Sequence, residues 1–272
     1  MPRANSDGLQ IDYTDLGRGE PTLLLLSGWC ATREAYGRMN ELCAQYRRVL
    51  ALDWRGHGHS EPVVQDFGAR ELLDDAMAVI EASGAGSIVP VALAHAGWVA
   101  IELRRRLGAR IPGLVLIDWI VLDPPQPFVA ALHAMQDPKR WRQTRDQLFS
   151  AWLHGVDNPA VSEFVLDGMG AFDPAMWARA GREIAASYER FGNPLTALKA
   201  LSPPAPTLHI YAQPPDPAYY EAQQSFAAGH PWFKVRHISA RSHFPMLEEP
   251  EEMAQAVEDF VERLPAPSPI AG

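Results

Sequence analysis

The stretch Val91-Ala92-Leu93-Ala94-His95-Ala96-Gly97-Trp98 decides how the rest of the chain is read. It starts within an apolar run, Ile88 to Leu93, of the kind that forms a strand buried on both faces, and it passes at once into small residues that open a helix. A strand that turns this abruptly puts the turn residue, Ala94, at the carboxyl edge of a parallel sheet. Open α/β sheets bind their ligands at that edge.

Outward from this turn, short apolar runs alternate with helical patterns. Leu23 to Ser27, Val49 to Asp53 and Leu114 to Trp119 read as further buried strands. Glu71 to Glu81 carries Leu72, Leu73, Ala76, Val79 and Ile80 at helical spacing, and Ser83-Gly84-Ala85-Gly86 supplies its stop. The alternation predicts a doubly wound, mostly parallel α/β sheet. It breaks at Asp123-Pro124-Pro125-Gln126-Pro127, after which the pattern is helical to Pro206, with Trp141, Trp152 and Trp177 and no strand. Strand, helix and strand resume at Thr207 to Ala212, Tyr219 to Ala228 and Phe233 to Ile238, and a helix from Pro250 to Leu264 closes the pattern before a Pro/Ala-rich tail. The expected organisation is a core in two parts, 1–123 and 206–272, with a helical cap, 124–205, inserted between them.

With 272 residues, 47% of them hydrophobic, the chain is long enough for one large core plus an insertion. A balance of 24 basic against 33 acidic residues, net −9, without a Lys/Arg run, argues against nucleic acid as a partner. Met1 to Gln10 is polar, and the most apolar segment, Gly113 to Leu122, is short and interrupted by Asp118, so neither a secretory signal nor a membrane span is expected and the location expected is cytoplasmic. Cys30 and Cys43 form neither a disulfide framework nor a metal-ligand spacing. Oligomeric state is not written in the sequence.

The residues just after each strand are the ones to inspect for chemistry. Ser27-Gly28-Trp29-Cys30 follows the first strong strand, where a backbone N–H can face an oxyanion. Asp53-Trp54-Arg55-Gly56-His57-Gly58-His59-Ser60 follows the next; a solitary His-x-His is a weak metal signal, and the expectation is a structural turn in which Arg55 and the histidines bond loop backbone. The turn at Ala94 occupies the place of the Gly-x-Ser-x-Gly elbow of the α/β-hydrolase fold, and Ala94 stands at the Ser position. A methyl group cannot attack a carbonyl, so no acyl-enzyme forms, although the N–H of His95 still serves an oxyanion hole. Arg241-Ser242-His243-Phe244-Pro245 follows the last strand, where this fold keeps its general base. Two strand-ending carboxylates could orient His243: Asp118 in Ile117-Asp118-Trp119, which is preferred, and Asp216 in Gln213-Pro214-Pro215-Asp216-Pro217. A hydrolase scaffold kept only as a binding module is the bland alternative.

Taken in order, Gly28-Trp29-Cys30, Asp53-Trp54-Arg55-Gly56-His57, His95 with Trp98, Ile117-Asp118-Trp119, Trp152, Ala212-Gln213-Pro214, His230-Pro231-Trp232-Phe233 and Ser242-His243-Phe244-Pro245 resemble the cofactor-independent 2,4-dioxygenases of 3-hydroxy-4(1H)-quinolones, from Leu23 to Leu264. The resemblance implies a ring-opening reaction of O2 with a small aromatic N-heterocycle, without metal or flavin, that releases carbon monoxide and leaves an N-acylanthranilate. It implies that His243 takes the 3-hydroxyl proton, Asp118 steadies His243, and the N–H groups of Trp29 and His95 face the 4-oxo group. It further implies that Trp152 shapes the pocket and the oxygen site, and that Ile120, Phe128, Leu148 and Ile184 form apolar walls. Family members carry Ser at the elbow, hydrogen-bonded to substrate, and a polar residue where this chain has Ala31; both departures make the pocket less polar and suit a longer 2-alkyl group. Other nucleophile-free activities on the same fold, a lyase or a water-activating hydrolase, and a non-catalytic receptor would keep much of the same pattern.

Overall fold

The strand Thr22–Leu26 is buried at every position, as a central parallel strand must be when helices cover both faces of its sheet. The structure, a computed structural model, describes residues 1–265, so the end of the Pro/Ala-rich tail lies outside the described residues. In chain order the strands are β1 (Arg3–Ser6), β2 (Leu9–Leu16), β3 (Thr22–Leu26), β4 (Val49–Leu52), β5 (Ile88–Leu93), β6 (Leu114–Ile117), β7 (Thr207–Tyr211) and β8 (Phe233–His237). They form one sheet in the order β1-β2-β4-β3-β5-β6-β7-β8, parallel from β4 to β8, with β1 and β2 antiparallel at one edge. The order reverses beside β3, so the loops after β3 and β5 open side by side at the carboxyl edge.

The edge hairpin is absent from the sequence reading, which took Met1 to Gln10 only as a polar segment. Asp7-Gly8 makes its turn with φ of 51° and 90°, the paired positive values of the two-residue hairpin turn that Asp-Gly favours. The segment is polar because an edge strand buries little: only Ala4 and Ser6 of β1 are buried.

The core helices are α1 (Gly37–Ala44), α2 (Ala69–Ser83) and α3 (Ala96–Leu107). Glu71 accepts the Gly68 N–H at the start of α2, and Gly84, left-handed at φ 66°, ends it. Between β6 and β7 lie five helices and no strand: α4 (Gln126–Met135), α5 (Trp141–Trp152), α6 (Pro159–Glu163), α7 (Pro174–Phe191) and α8 (Pro194–Lys199). Three of them open on an Asx–Pro pair, with Asn158, Asp173 and Asn193 accepting N–H groups of the first turn. After β7 come α9 (Pro217–Gly229), α10 (Pro245–Glu248) and α11 (Pro250–Val261). Among the described residues no helix is long and apolar enough to cross a membrane.

Candidate active site

Three turns at the carboxyl edge build the site, and each is held in a conformation that L-residues adopt reluctantly. Cys30, Ala94 and Asp118 have φ of 55°, 49° and 44°. The Ala94 N–H donates to the Ile117 carbonyl and the Asp118 N–H to the Ile210 carbonyl, so the sheet ladder fixes both turns at their roots. A Cβ on Gly28 would lie 3.6 Å from the Leu93 carbonyl oxygen and 3.8 Å from the Ala94 Cβ, which puts the Gly28-Trp29 turn against the elbow. Neither the Trp29 nor the His95 N–H has a partner among the described hydrogen bonds. Two free donors on adjoining turns, where nearly all buried N–H groups are otherwise paired, are suited to a ligand oxygen.

The His243 ring meets Asp118: Nδ1 lies 2.8 Å from Oδ1, with the Asp118 side chain 2% and the His243 side chain 17% exposed. The other carboxylate oxygen, Oδ2, accepts the N–H groups of Ala212 at 2.8 Å and Gln213 at 3.1 Å. A carboxylate so engaged holds the His243 proton on Nδ1 and leaves Nε2 as the basic lone pair. Glu248 accepts the Ser242 N–H at 2.6 Å, and Gln213 donates to the Arg241 carbonyl at 2.8 Å, which pins the loop that carries His243. Asp216 is used elsewhere: its carboxylate accepts the Ala218 N–H and caps α9.

His95 is held neutral. The Trp119 indole N–H donates to its Nδ1 at 3.1 Å, and burial, with His243 nearby, pulls its pKa down to about 3. Trp119 can reach it because position 97 is glycine; a Cβ there would sit 2.2 Å from the indole ring. The turn after Asp118 is clamped by residues the sequence reading missed. His209 Nε2 accepts the Trp119 N–H, the Tyr219 hydroxyl donates to the Trp119 carbonyl and accepts the Val121 N–H, and the Tyr188 hydroxyl donates to the Ile120 carbonyl. These contacts join elements far apart in the chain, and no local pattern marks them.

His57 is the structural residue expected of it, bonded at Nδ1 to the Arg55 carbonyl and at Nε2 to the Cys30 N–H; burial lowers its pKa to about 4. Arg55 differs from expectation: its guanidinium pairs with the buried Asp75 carboxylate at 2.6 Å and with the Ser6 hydroxyl rather than with loop backbone. His59 is exposed beside Asp53. Among the described residues no three His, Cys, Asp or Glu side chains gather as a metal-holding group.

All ten residues singled out from the sequence stand on the wall of one cavity of about 330 Å³: Trp29, Ala94, His95, Asp118, Ile120, Phe128, Leu148, Trp152, Ile184 and His243. Leu132 and Met135 on α4, Met169, and Trp177 on α7 complete its cap side. Leu132 and Met135 follow Phe128 at i+4 and i+7, a spacing from which they could have been found.

The chain matches the model of the alpha/beta hydrolase family over residues 23–256. It is 38% identical over 257 residues to the 2-heptyl-3-hydroxy-4(1H)-quinolone dioxygenase of Mycobacteroides abscessus, covering 94% of this chain and 96% of that protein. It is 37% identical over 264 residues to the 1H-3-hydroxy-4-oxoquinoline 2,4-dioxygenase of Pseudomonas putida, covering 96% of this chain and 100% of that one. The chain belongs to the 3-hydroxy-4-quinolone dioxygenase family. In three dimensions it matches an AqdC variant, solved in complex with its substrate in work on ring cleavage of the Pseudomonas quinolone signal, at a TM-score of 0.92 and 37% identity over 96% of this chain and 98% of that one. Membership makes the protein an oxygen-incorporating enzyme rather than an acyl-transfer hydrolase, in keeping with an elbow that has no nucleophile.

Proposed function

We propose that the enzyme cleaves 2-alkyl-3-hydroxy-4(1H)-quinolones between C2 and C4 with O2, releasing carbon monoxide and an N-acylanthranilate, with no cofactor. The observation that carries this reading is the His243–Asp118 pair facing an apolar cavity whose elbow residue is Ala94. A flat bicyclic substrate fits a cavity of about 330 Å³, within the range of about 300 to 1,000 Å³ usual for small-molecule sites. Ala31 and Ala94 on its wall present methyl groups, and this favours an alkylated substrate.

His243 Nε2 removes the 3-hydroxyl proton while Nδ1–H donates to Asp118, so the charge formed on the imidazole is matched by the carboxylate. The N–H groups of Trp29 and His95 receive the 4-oxo oxygen as negative charge spreads onto it. The electron-rich ring reduces O2, and the peroxide joins C2 and C4. Collapse of that bridge leaves one oxygen atom of O2 on C2 as the amide and one on C4 as the carboxylate, and expels C3 with its oxygen as carbon monoxide. Ile120, Phe128, Leu148 and Ile184 hold the ring and its alkyl group.

The test is aerobic incubation of metal-free protein with 3-hydroxy-4(1H)-quinolones bearing hydrogen, methyl or heptyl at C2, followed by substrate absorbance and by headspace carbon monoxide. One carbon monoxide per substrate consumed is expected, with the heptyl compound preferred. Tight binding without turnover would make the protein a receptor, and substrate loss without carbon monoxide would make it a lyase or hydrolase.

A further inference from the structure

We infer that Trp152 acts on the reaction through His243: its indole face, stacked on the imidazole, stabilises the imidazolium that forms when the base takes the substrate proton. The two rings lie parallel, with centroids 5.0 Å apart and planes 10° from one another. The other aromatic neighbour of His243, Phe244, is tilted by 71° at 5.2 Å and offers no comparable face. An aromatic ring carries negative charge on its face, so a cation within about 6 Å of the centroid is attracted, and indole attracts it most strongly.

The orientation of the indole is set from two further sides. Phe149, one turn earlier on α5, stacks on it at 6.0 Å, and Phe244 meets its edge at 5.5 Å and 81°. Asp118 approaches His243 in the plane of the ring, through Nδ1, whereas Trp152 covers the face. The two stabilise one cation along perpendicular directions and do not compete for the same atoms. Of the other titratable groups around the base, His95 is neutral, Glu248 accepts the Arg241 and Ser242 N–H groups, and the Arg241 guanidinium is a cation that donates to the Gly155 carbonyl 2.9 Å away and is the same in every variant compared. The site lies at the junction of cap and core, since Trp152 ends α5 and His243 sits between β8 and α10. The cap thereby supplies part of the base's electrostatic surroundings as well as an apolar wall.

The test uses Trp152→Phe, which keeps a weaker face, and Trp152→Leu, which removes it. His243 is titrated by NMR in the folded, substrate-free protein, its signal assigned by comparison with His243→Ala, and kcat/KM is measured against pH. A base acts unprotonated, so kcat/KM climbs as pH rises through the pKa of His243. Loss of the stack disfavours the protonated form, so in Trp152→Leu the NMR titration and the acid limb both move to lower pH, by about 0.5 to 1.5 pH units. The plateau rate falls about 3- to 30-fold, and Trp152→Phe lies between. A raised KM with an unmoved His243 titration would reduce Trp152 to a wall and overturn the inference. The inference rests on His243 being the base, but the titration needs no turnover: an active His243→Ala refutes the base, and an unmoved titration refutes the stack.

Discussion

Replacing Asp118 by Asn tests the orientation of the base without changing the shape of the site. The carboxylate faces two kinds of partner: Oδ2 accepts two backbone N–H groups, from Ala212 and Gln213, and Oδ1 meets His243 Nδ1 at 2.8 Å. An amide has one carbonyl oxygen and one NH2 group. Turned toward His243, its oxygen would leave the NH2 against two N–H donors, an arrangement that leaves buried donors unpaired at a cost of about 1–3 kcal/mol each. Turned the other way, it satisfies both backbone donors and points its NH2 at Nδ1. The second orientation wins, and it forces the His243 proton onto Nε2, the atom that accepts the substrate proton in the proposed mechanism. Asp118→Asn should therefore fold with near-native stability and lose about 10²- to 10⁴-fold in kcat/KM at neutral pH, the range for a lost general base. The loss should shrink at high pH, where the 3-hydroxyl ionises unaided. Asp216→Ala is the control: it removes a helix cap worth about 0.5–2 kcal/mol of stability and leaves turnover unchanged. Substrate absorbance gives the rates and urea unfolding the stabilities. If Asp118→Asn keeps more than about a tenth of the rate, or Asp216→Ala loses it, the pairing of His243 with Asp118 is not what orients the base.

Ala94→Ser should leave carbon monoxide release running and add one substrate hydrogen bond worth about 0.5 to 1.5 kcal/mol, read as a lower KM; an inactive serine variant would mean that the methyl itself is required. His57 and His209, each with a pKa lowered from 6.5 to about 4 by burial, stay neutral in the fold while the unfolded chain protonates. Stability is therefore complete above pH 6.5 and falls by about 1.4 kcal/mol per pH unit for each histidine as pH drops toward about 4; flat urea midpoints across that window would contradict their burial as neutral groups. Activity should survive dialysis against chelators, and loss reversed by adding iron or copper would end the cofactor-free reading. Gly97→Ala should lower stability by about 1–3 kcal/mol through overpacking against Trp119 and raise KM as His95 shifts; an unchanged protein would show that the indole has room to move.

The sequence displays the parts of the fold that depend on local periodicity and hides those that depend on distant partners. β3 and β5 are legible because a parallel strand buried on both faces is a plain run of Leu, Ile and Val. The insertion is legible because Pro124, Pro125 and Pro127 interrupt the alternation. The hairpin of β1 and β2 escapes the apolar-run signal because an edge strand is half polar, although Asp7-Gly8 marks its turn. In the site, His243 and Asp118 are legible from their positions after strands, but Trp152 is 91 residues from His243 in sequence and its stacking has no local signature. The clamp of His209, Tyr219 and Tyr188 on the Asp118 turn is hidden for the same reason.

The backbone at Ala94 shows what the fold retains when the nucleophile is gone. Of four described non-glycine residues with positive φ, three, Cys30, Ala94 and Asp118, lie at the ends of β3, β5 and β6 in this site. Each such conformation costs about 1–3 kcal/mol, and glycine would relieve it. In a hydrolase the strained turn exposes a serine hydroxyl, and alanine has none to expose. The same turn also starts α3 and leaves the next N–H, that of His95, without a partner among the described hydrogen bonds. Beside the Cys30 turn the N–H of Trp29 is likewise without a partner among the described hydrogen bonds, while the Cys30 N–H is anchored to His57. Strain at these turns therefore holds two unpaired N–H donors and one carboxylate in place. In the proposed reaction that set works with His243 as the base to remove the proton of a 3-hydroxy-4-oxo ring, and none of it depends on the side chain at position 94.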